Sequence, residues 1–465
     1  MAANAEKAEE SQERIGFVEA FKVREIRALA VSRGASRLAM STVSYGTMVY
    51  LATQGGTQFQ ISLVSAATYL SAVLFGIQGG MLADSISKRM AIFGGYVAIA
   101  LMYLLLPFFA GQSISSLLVV MFLSSAVMQV VSPSLKSAVA LVSKPKDVAV
   151  VATSVTIASS IAAAAGSSFL APILIKTVGL DPLMYLAAVI MMYGAWATLR
   201  LPKTEIGEKF SVAVKQIGFR EHMFSLRRTA GWFNHNRRTG ALILVGAIAV
   251  SMYEAFTTLI PVYVRDVLKS DPTNAVYIFA PAGIGFLVGM YFTPTLIDTI
   301  GARKLAVGSV FIMSVSMVLF GLIEVIAPFV APFSPLRVLG WMFDVHIPKV
   351  VLAASAIALP ANFGSTAAGS AIVAYINQKV PLAQQGATFG LQEVQENVAT
   401  LVLVMTLGAA SGIVGPKIVF IVSPMFAFAM MCWLIVYSYR VSGQDQITMR
   451  EALDELVDTS HDDEP

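Results

Sequence analysis

The stretch 80–89 reads Gly-Met-Leu-Ala-Asp-Ser-Ile-Ser-Lys-Arg and follows a long apolar run at 61–82. A related stretch at 294–304 reads Pro-Thr-Leu-Ile-Asp-Thr-Ile-Gly-Ala-Arg-Lys and follows a second apolar run. The two stretches lie 214 residues apart, counted from Asp84 to Asp298. Both stretches place an aspartate and then basic residues at the end of an apolar run. This repetition indicates that the chain consists of two related halves.

A second pair of related stretches supports this repeat. Lys144-Pro145 precedes Ala152-Thr153 in the first half, and Val380-Pro381 precedes Ala387-Thr388 in the second half. These stretches lie 235 to 236 residues apart, so the second half has gained about 21 residues between the two pairs. We expect the insertion at 325–349, outside the membrane, because this segment contains four prolines. Internal repeats of this kind are typical of transporters, whose binding site lies between the halves.

The composition indicates a helical membrane protein. Hydrophobic residues make up 56% of the chain and charged residues 13%, and the mean hydropathy is +0.73. Soluble globular proteins carry about 25% charged residues, so an ordinary soluble enzyme and a disordered chain are both excluded. Apolar runs of about 20 residues, without alternation, exclude an outer-membrane barrel. The single cysteine, Cys432, excludes a disulfide scaffold.

The length of the apolar runs predicts twelve transmembrane helices. Eleven runs are clear, since a spanning helix needs about 20 apolar residues. A helix over Leu38–Ala52 alone would be about 22 Å long, too short for a hydrocarbon core of about 30 Å. The first span must therefore begin near Leu29 and include Arg33 and Arg37. The clear runs are 61–82, 91–110, 114–135, 148–175, 183–199, 241–264, 275–293, 305–323, 350–376, 386–411 and 418–437.

The distribution of basic residues predicts the orientation. With a cytoplasmic N-terminus, the cytoplasmic side holds 26 of the 32 basic residues, as the positive-inside rule requires. We therefore expect a multi-pass protein of the plasma membrane with both termini in the cytoplasm. The segment 201–238 between the sixth and seventh spans is a basic linker, which is either solvated or lies against anionic lipid. The predicted parts are an N-terminal tail 1–25, a six-helix bundle 26–200, the linker 201–238, a six-helix bundle 239–440 and an acidic tail 441–465.

The repeated stretch resembles the signature of the major facilitator superfamily, which reads G-x-L-A-D-R-x-G-R-(R/K) between the second and third helices. The resemblance covers about residues 26–440. It implies an all-α membrane protein with twelve transmembrane helices in two pseudo-symmetric six-helix bundles, and we expect a monomer surrounded by lipid. Ser85 and Ser87 replace the usual arginine and second glycine. The matching residues are Gly80, Leu82, Ala83, Asp84, Lys88 and Arg89.

A looser resemblance points to the bacterial drug and siderophore exporters of this superfamily. Those proteins carry a proline near the end of the fourth span, here Pro133, and then a proline-acidic turn, here Pro145 to Asp147. A fifth span of small residues follows, here up to Ser168. The glycine-proline pattern that many exporters show in this span is incomplete, because Ser167 stands where proline is expected.

These resemblances imply a secondary transporter that uses alternating access. Proton-coupled export of an amphipathic or apolar compound is the leading hypothesis. Uptake symport and facilitated diffusion are the alternatives within the same fold. A receptor or lipid-handling scaffold that does not transport is the alternative from another class, although a scaffold has no need of a charge in the middle of the membrane.

Glu254 is the main candidate for the proton site. It is the only charged residue between Thr239 and Val264, and it lies near the middle of the seventh span. A charge at a helix centre costs about 2.5 to 3.5 kcal/mol on insertion scales, and such residues commonly belong to ion or proton pathways. The alternative is a structural hydrogen bond to a neighbouring helix. By resemblance, this span lines a central cavity with Tyr253 and faces Ser41 and Tyr45 of the first span.

Further charged and polar residues are candidates for the proton or substrate pathway. Arg33 and Arg37 lie four residues apart, so they share one helix face. Arg33 can extend to the membrane surface, whereas Arg37 lies one turn deeper and needs a partner. Glu393 and Glu396 in the eleventh span either pair with these arginines, contact substrate or face solvent. Gln129 in the fourth span is a further candidate.

The doubled signature predicts an inner gate. By resemblance, Asp84 caps the positive end of a helix in the other half, with the eleventh span as the expected partner. Lys136 is a candidate gate partner at the inner end of the fourth span. The alternative is that these are ordinary loop charges. The predicted gate residues are Gly80, Asp84, Lys88, Arg89, Lys136, Asp298, Gly301 and Arg303.

Other chemistry is not indicated by the sequence. No phosphate-binding G-x-x-x-x-G-K-(S/T) pattern occurs, and the four histidines show no metal-ligand spacing. We therefore predict neither an enzyme nor a nucleic-acid partner, and no cofactor or metal. Small residues at Ser159–Ser168 and at Gly285 and Gly289 predict close helix contacts, either between the sliding halves or within them.

Overall fold

The computed structural model describes residues 17–109, 113–143, 147–202, 237–338, 347–380 and 382–441. Within these ranges the secondary structure is helical and no strand occurs. The predictions for the linker 201–238 and for the two tails fall largely outside the described residues. The all-α fold class is confirmed.

Twelve long helices occur in the described ranges, and we number them α1 to α12. Of these, α2 to α12 are long and apolar enough to cross a membrane. The first helix contains Arg33 and Arg37 and has 30 residues, or about 45 Å. The helices are α1 Arg24–Thr53, α2 Gln58–Ser85, α3 Lys88–Phe109, α4 Ile114–Val142, α5 Val148–Ala165 continued by Gly166–Leu170 and Ala171–Thr177, α6 Leu180–Thr198, α7 Arg237–Asp266, α8 Val276–Ile300, α9 Ala302–Gly321, α10 Lys349–Lys379, α11 Leu382–Val414 and α12 Pro416–Val441.

The connection between α1 and α2 is a tight turn with a defined start for the second helix. Gly55 has φ +76, a conformation that glycine adopts readily. Thr57 caps α2, since its hydroxyl accepts from Gln60 N while Gln60 Oε1 accepts from Thr57 N. We call this end of the molecule the hairpin end. The opposite end, where α2 meets α3, is the motif end.

The helices pack into two bundles, α1–α6 and α7–α12, with corresponding neighbours. In the first bundle, α2 packs on α4, α3 on α6, and α1 on α5 and α6. In the second bundle the equivalent pairs are α8 with α10, α9 with α12, and α7 with α11 and α12. This recurrence is the pseudo-symmetry that the repeated sequence predicts, and it confirms the predicted fold.

Glycines allow close helix contacts within each bundle. A Cβ atom on Gly79 of α2 would overlap the carbonyl of Gln129 in α4, and one on Gly285 of α8 would overlap the carbonyl of Leu359 in α10. Gly166 of α5 lies equally close to α1. The structure thus supports the packing alternative for these small residues, rather than a sliding contact between the halves.

The signature stretch is helical over most of its length. α2 continues to Ser85 and α3 begins at Lys88, so only Ile86 and Ser87 connect them. In the second copy, α8 continues to Ile300 and Gly301 alone connects it to α9, with φ +83. The predicted gate loops are therefore helix ends joined by very short links.

The predicted insertion after α9 is partly helical. A short helix Ile323–Val330 and a 3-10 turn Ala331–Phe333 pack against α10 at the hairpin end. Lys417 of α12 forms an ion pair with Glu324 here. Residues 339–346 of this segment lie outside the described ranges.

Candidate functional site

A cavity of about 500 Å³ lies between the two bundles. The first bundle contributes mainly α1, α2, α4 and α5 to its wall, and the second contributes α7, α8 and Asn362 of α10. Just over half of the residues on the wall carry a hydroxyl group, and methionines, phenylalanines and alanines form most of the apolar remainder. The hydroxyl groups belong to Ser41, Ser44, Tyr45, Ser65, Thr68, Tyr69, Tyr103, Ser124, Ser160, Ser167, Ser168, Tyr253, Thr257 and Thr258.

Glu254 and Arg37 are the charged residues on this wall. Tyr69 of α2 donates a hydrogen bond through Oη to Glu254 Oε2 at 3.2 Å. Arg37 of α1 interacts electrostatically with Glu254 across the cavity, but among the described residues no ion pair joins them. Glu254 therefore contacts the first bundle through a neutral phenol and not through a cation.

Two further tyrosines line the cavity in different ways. Tyr253 Oη donates to Asn362 Oδ1 at 2.6 Å, within the second bundle. Tyr45 packs edge-to-face on Phe279, with ring centroids 5.0 Å apart. Only 6% of Tyr45 is exposed, yet its hydroxyl has no hydrogen-bond partner in the described part of the chain. An unpaired buried hydroxyl costs about 1 to 3 kcal/mol, so a ligand or water at this position would be stabilised.

Ser41 is positioned by an irregular turn of α5. Residues Gly166–Leu170 form a π-helical turn, a feature that is common at functional sites. The carbonyl of Ala163 just before it accepts from both Ser41 Oγ at 2.8 Å and Ser167 Oγ at 3.2 Å. Gly166 lets α1 approach at this point, because a Cβ there would overlap Ser41 Oγ.

Polar contacts between the bundles close the hairpin end of the cavity. Thr258 of α7 bonds to α2 twice, through its hydroxyl to Ser65 at 3.2 Å and through its carbonyl to Gln58 Nε2 at 3.3 Å. Arg265 Nη1 donates to the carbonyls of Ala52 at 3.2 Å and Gly56 at 3.0 Å. We call these contacts the hairpin seam.

Other groups reinforce the hairpin seam. Asp266 orients Arg265 through a second pair of hydrogen bonds, at 2.8 Å to Nε and 3.2 Å to Nη2. Gly408 of α11 packs so closely on Ser62 of α2 that a Cβ on the glycine would overlap the serine side chain. The hairpin end is thus sealed by both hydrogen bonds and close packing.

The motif end is joined more loosely. Lys136 of α4 forms an ion pair with Glu393 of α11 at 3.0 Å, and about half of each side chain is exposed, 58% and 52%. The first part of α5, Val148–Ala165, packs on α1 and α4 of its own bundle. Arg37, which lines the cavity on this side, is exposed. The cavity is therefore closed at the hairpin end and reaches toward the motif end.

Glu396 lies beside the ion pair and not on the cavity wall. Its Oε1 accepts from Gln392 Nε2 at 2.7 Å, and its carbonyl accepts from Ser251 Oγ at 3.0 Å. Both partners belong to the second bundle, so neither glutamate of α11 pairs with Arg33 or Arg37 among the described contacts.

The described gate residues of the first copy mainly contact their own bundle. Lys88 Nζ donates to the Ala83 carbonyl at 2.7 Å, and Arg89 Nη1 donates to the Leu201 carbonyl at 3.3 Å. Gly80 has open space beside it. The side chain of Asp84 lies outside the described residues, so its predicted capping role stays a prediction.

The second copy of the signature lies on the surface of the motif end. Asp298 is exposed, Gly301 forms the one-residue link, and Arg303 is half-buried at the start of α9. Lys136, in contrast, makes the contact between bundles already described.

The residues predicted from the sequence and the residues on the cavity wall differ at several positions. Gln129 lies against Gly79 between α4 and α2 and is not on the cavity wall. The sequence did not identify Tyr69 or Thr258 as site residues, because neither is charged. Asn362 is an amide inside the apolar run 350–376 and could have been identified as an exception within that run.

The chain matches the sequence family described as Major Facilitator Superfamily over residues 29–391 and belongs to that superfamily. It is a membrane transporter and not an enzyme. No curated protein sequence matches it at a significant level.

Solved structures of transporters share the fold. A crystal structure of a mutant of the nucleoside transporter NupG has a TM-score of 0.65 at 12% identity, covering 89% of this chain and 99% of that one. A mutant of a peptide transporter POT has a TM-score of 0.64 at 16% identity, covering 90% and 94%. The POT family transporter PepTSo has a TM-score of 0.62 at 12% identity, covering 91% and 99%. At these identities the similarity concerns the fold alone.

Proposed function

We propose that this protein is a secondary active transporter that exports a small amphipathic or apolar molecule in exchange for protons. The observation that carries the proposal is the position of Glu254 on the wall of a cavity between two bundles. A carboxyl group there can bind a proton or contact a substrate, and it can be exposed to either side as the bundles move.

The cavity wall supports an amphipathic substrate. Its hydroxyl groups can hydrogen-bond a polar part of the molecule, with Tyr45 offering an unused donor. Phe279, Phe286 and Met121 offer an apolar surface for the rest. The volume of about 500 Å³ suits a small molecule and not a polymer.

The orientation is part of the proposal. We place the motif end in the cytoplasm and the protein in the plasma membrane, on the basis of the positive-inside rule. Phe333 is 81% exposed at the hairpin end. A cysteine there, in a Cys432→Ser background, should react with an impermeant maleimide added to whole cells. Reaction only after lysis would reverse the orientation.

The proposal is tested in everted membrane vesicles with an imposed proton gradient. Drugs, siderophores, sugars and lysolipids are offered, and substrate-dependent proton movement is recorded with a pH-sensitive dye. Export by exchange predicts uphill uptake into everted vesicles when their interior is acid. Substrate and proton moving in the same direction would instead show symport, and movement without any proton flux would show facilitated diffusion.

Glu254→Gln identifies the proton site in the same assay. The amide keeps the size of the carboxyl group and its ability to accept from Tyr69, but it cannot titrate. We expect uphill transport to fall at least about 100-fold, since coupling is lost, while downhill exchange and the melting temperature are retained. Glu393→Gln is the matched control and should keep uphill transport. A Glu254→Gln variant that still accumulates substrate would exclude Glu254 as the proton carrier.

A further inference from the structure

Tyr69 is the residue through which the first bundle contacts Glu254. It lies on α2, whereas Glu254 lies on α7, and their hydrogen bond of 3.2 Å spans the gap between the bundles. We infer that Tyr69 is a positioning residue that couples the proton on Glu254 to closure of the hairpin end. This inference rests on the proposed function, in which Glu254 carries the proton.

The Tyr69–Glu254 bond continues the hairpin seam. α2 and α7 run in opposite directions, so contacts follow one another in reverse order along the two helices. Gln58 and Ser65 meet Thr258, and one turn further from the hairpin end Tyr69 meets Glu254. Separation of α2 from α7 along the whole hairpin seam therefore also breaks the bond between Tyr69 and Glu254.

The strength of this bond depends on the charge of Glu254. A carboxylate accepts a hydrogen bond about twice as strongly as a neutral oxygen does, and the effect is larger in a low-dielectric cavity. The ionised form therefore favours the closed hairpin end, and protonation weakens the contact. Protonation of Glu254 removes this preference, so through this contact acid pH favours opening.

The other titratable groups around Glu254 do not form an equivalent link. Arg37 on α1 adds attraction to the ionised form but makes no hydrogen bond to it. The hydroxyl of Tyr45 on α1 has no hydrogen-bond partner among the described residues, and Tyr253 bonds within the second bundle. Glu396 on α11 bonds to its own helix. Among the described residues of the cavity wall, α8 and α10 contribute no charged group.

This arrangement specifies what an exported substrate must do. The ionised form of Glu254 is held by Tyr69, and the bond is weakened either by a proton or by another donor that replaces the phenol. A substrate with a hydroxyl or amine group can take the place of Tyr69 on Glu254. The inference therefore narrows the substrate class to amphipathic molecules with a hydrogen-bond donor.

The test measures the hairpin end directly, with spin labels at its outer edge. Ser115 and Phe333 are exposed and belong to different bundles. Cysteines at these two positions, in a Cys432→Ser background in lipid nanodiscs, carry the labels for double electron–electron resonance. In the parent protein, the fraction with a long distance should rise as the pH is lowered from neutral to acid.

The Tyr69→Phe variant removes the phenol oxygen and keeps the ring. We expect the ratio of open to closed hairpin end to rise about tenfold at neutral pH, and its dependence on pH to become much weaker. Glu254→Gln should show no dependence on pH. Glu396→Gln should keep a dependence on pH, because its hydrogen bonds lie within one bundle, although the variant also loses an electrostatic interaction with Glu254.

Ser65→Ala is the matched control within the seam. It removes a contact with Thr258 that does not titrate, so it should raise the open fraction equally at every pH and keep the response to pH. A parent protein without a pH response would overturn the inference, and so would a Tyr69→Phe variant with the parent response. If Glu254→Gln stops uphill transport in either case, the proposed function stands. If Glu254→Gln still drives uphill transport, the proposed function itself fails.

Discussion

The hairpin end and the motif end of the same interface are held by different kinds of contact. At the hairpin end, Arg265 donates to backbone carbonyls and Thr258 bonds to α2 in a buried setting. At the motif end, Lys136 and Glu393 form a half-exposed ion pair. Hydrogen bonds to charged groups contribute about 1.5 to 3 kcal/mol each, whereas exposed ion pairs contribute about 0 to 1 kcal/mol. The hairpin end therefore supplies most of the energy that maintains this conformation.

The largest expected effect comes from Arg265→Ala. The variant loses two hydrogen bonds between the bundles and leaves the carbonyls of Ala52 and Gly56 without this donor. We expect a cost of about 3 kcal/mol to the closed hairpin end, or about 100-fold in the ratio of open to closed, measured by spin-label distances. Lys176→Ala is the control, since its contact with Asn274 is exposed and 3.5 Å long. Equal effects of the two variants would contradict the role of Arg265.

A smaller effect is expected from Gly408→Ala. The added methyl group would overlap the side chain of Ser62, and overpacking costs about 1 to 3 kcal/mol. We expect about 30-fold more open hairpin end, with little change in melting temperature, because the strain is relieved when the bundles separate. Gly390 and Gly412 of the same helix have open space beside them, so alanine at these positions should leave the distances unchanged.

The smallest effect is expected at the motif end. Glu393→Gln removes the ion pair with Lys136, and the ratio of open to closed hairpin end should change by less than about fivefold. The change should become smaller in high salt, because both side chains are exposed. The double exchange Lys136→Glu with Glu393→Lys should restore the parent ratio. A change as large as that of Arg265→Ala would remove the contrast between the two ends.

The sequence predicted the fold and one central residue for clear physical reasons. Apolar runs of spanning length predict the helices, and the repeated signature predicts the two halves. Glu254 was identifiable because a charge inside a long apolar run is costly and therefore conspicuous. The first helix begins at Arg24, about five residues before the predicted start near Leu29. The difference arises because helix ends carry only a weak sequence pattern.

The partners of these residues were not predictable from one sequence. Tyr69 is an ordinary aromatic residue in an uncharged run, and its importance comes only from the residue that it faces across the gap. Arg265 carries a charge at the end of the seventh span, but one sequence does not show that it bonds to the opposite bundle. The spacing of Gly285 and Gly289 predicts a close helix contact but does not identify the neighbouring helix. Pair contacts of this kind depend on tertiary packing.

The contacts of the hairpin seam follow one another in series, and this order affects how well the closed hairpin end prevents leakage. Arg265, Thr258 and Glu254 lie in order along α7, so thermal fluctuations at the end of the molecule reach Arg265 first. A brief opening there leaves Ser65 and Thr258 paired, so it does not open a path for water from the hairpin end to the carboxyl group. Under the proposed function, several contacts must fail together before a proton can pass. The membrane is thus protected from futile leakage between transport cycles by the order of the contacts rather than by the strength of any one of them.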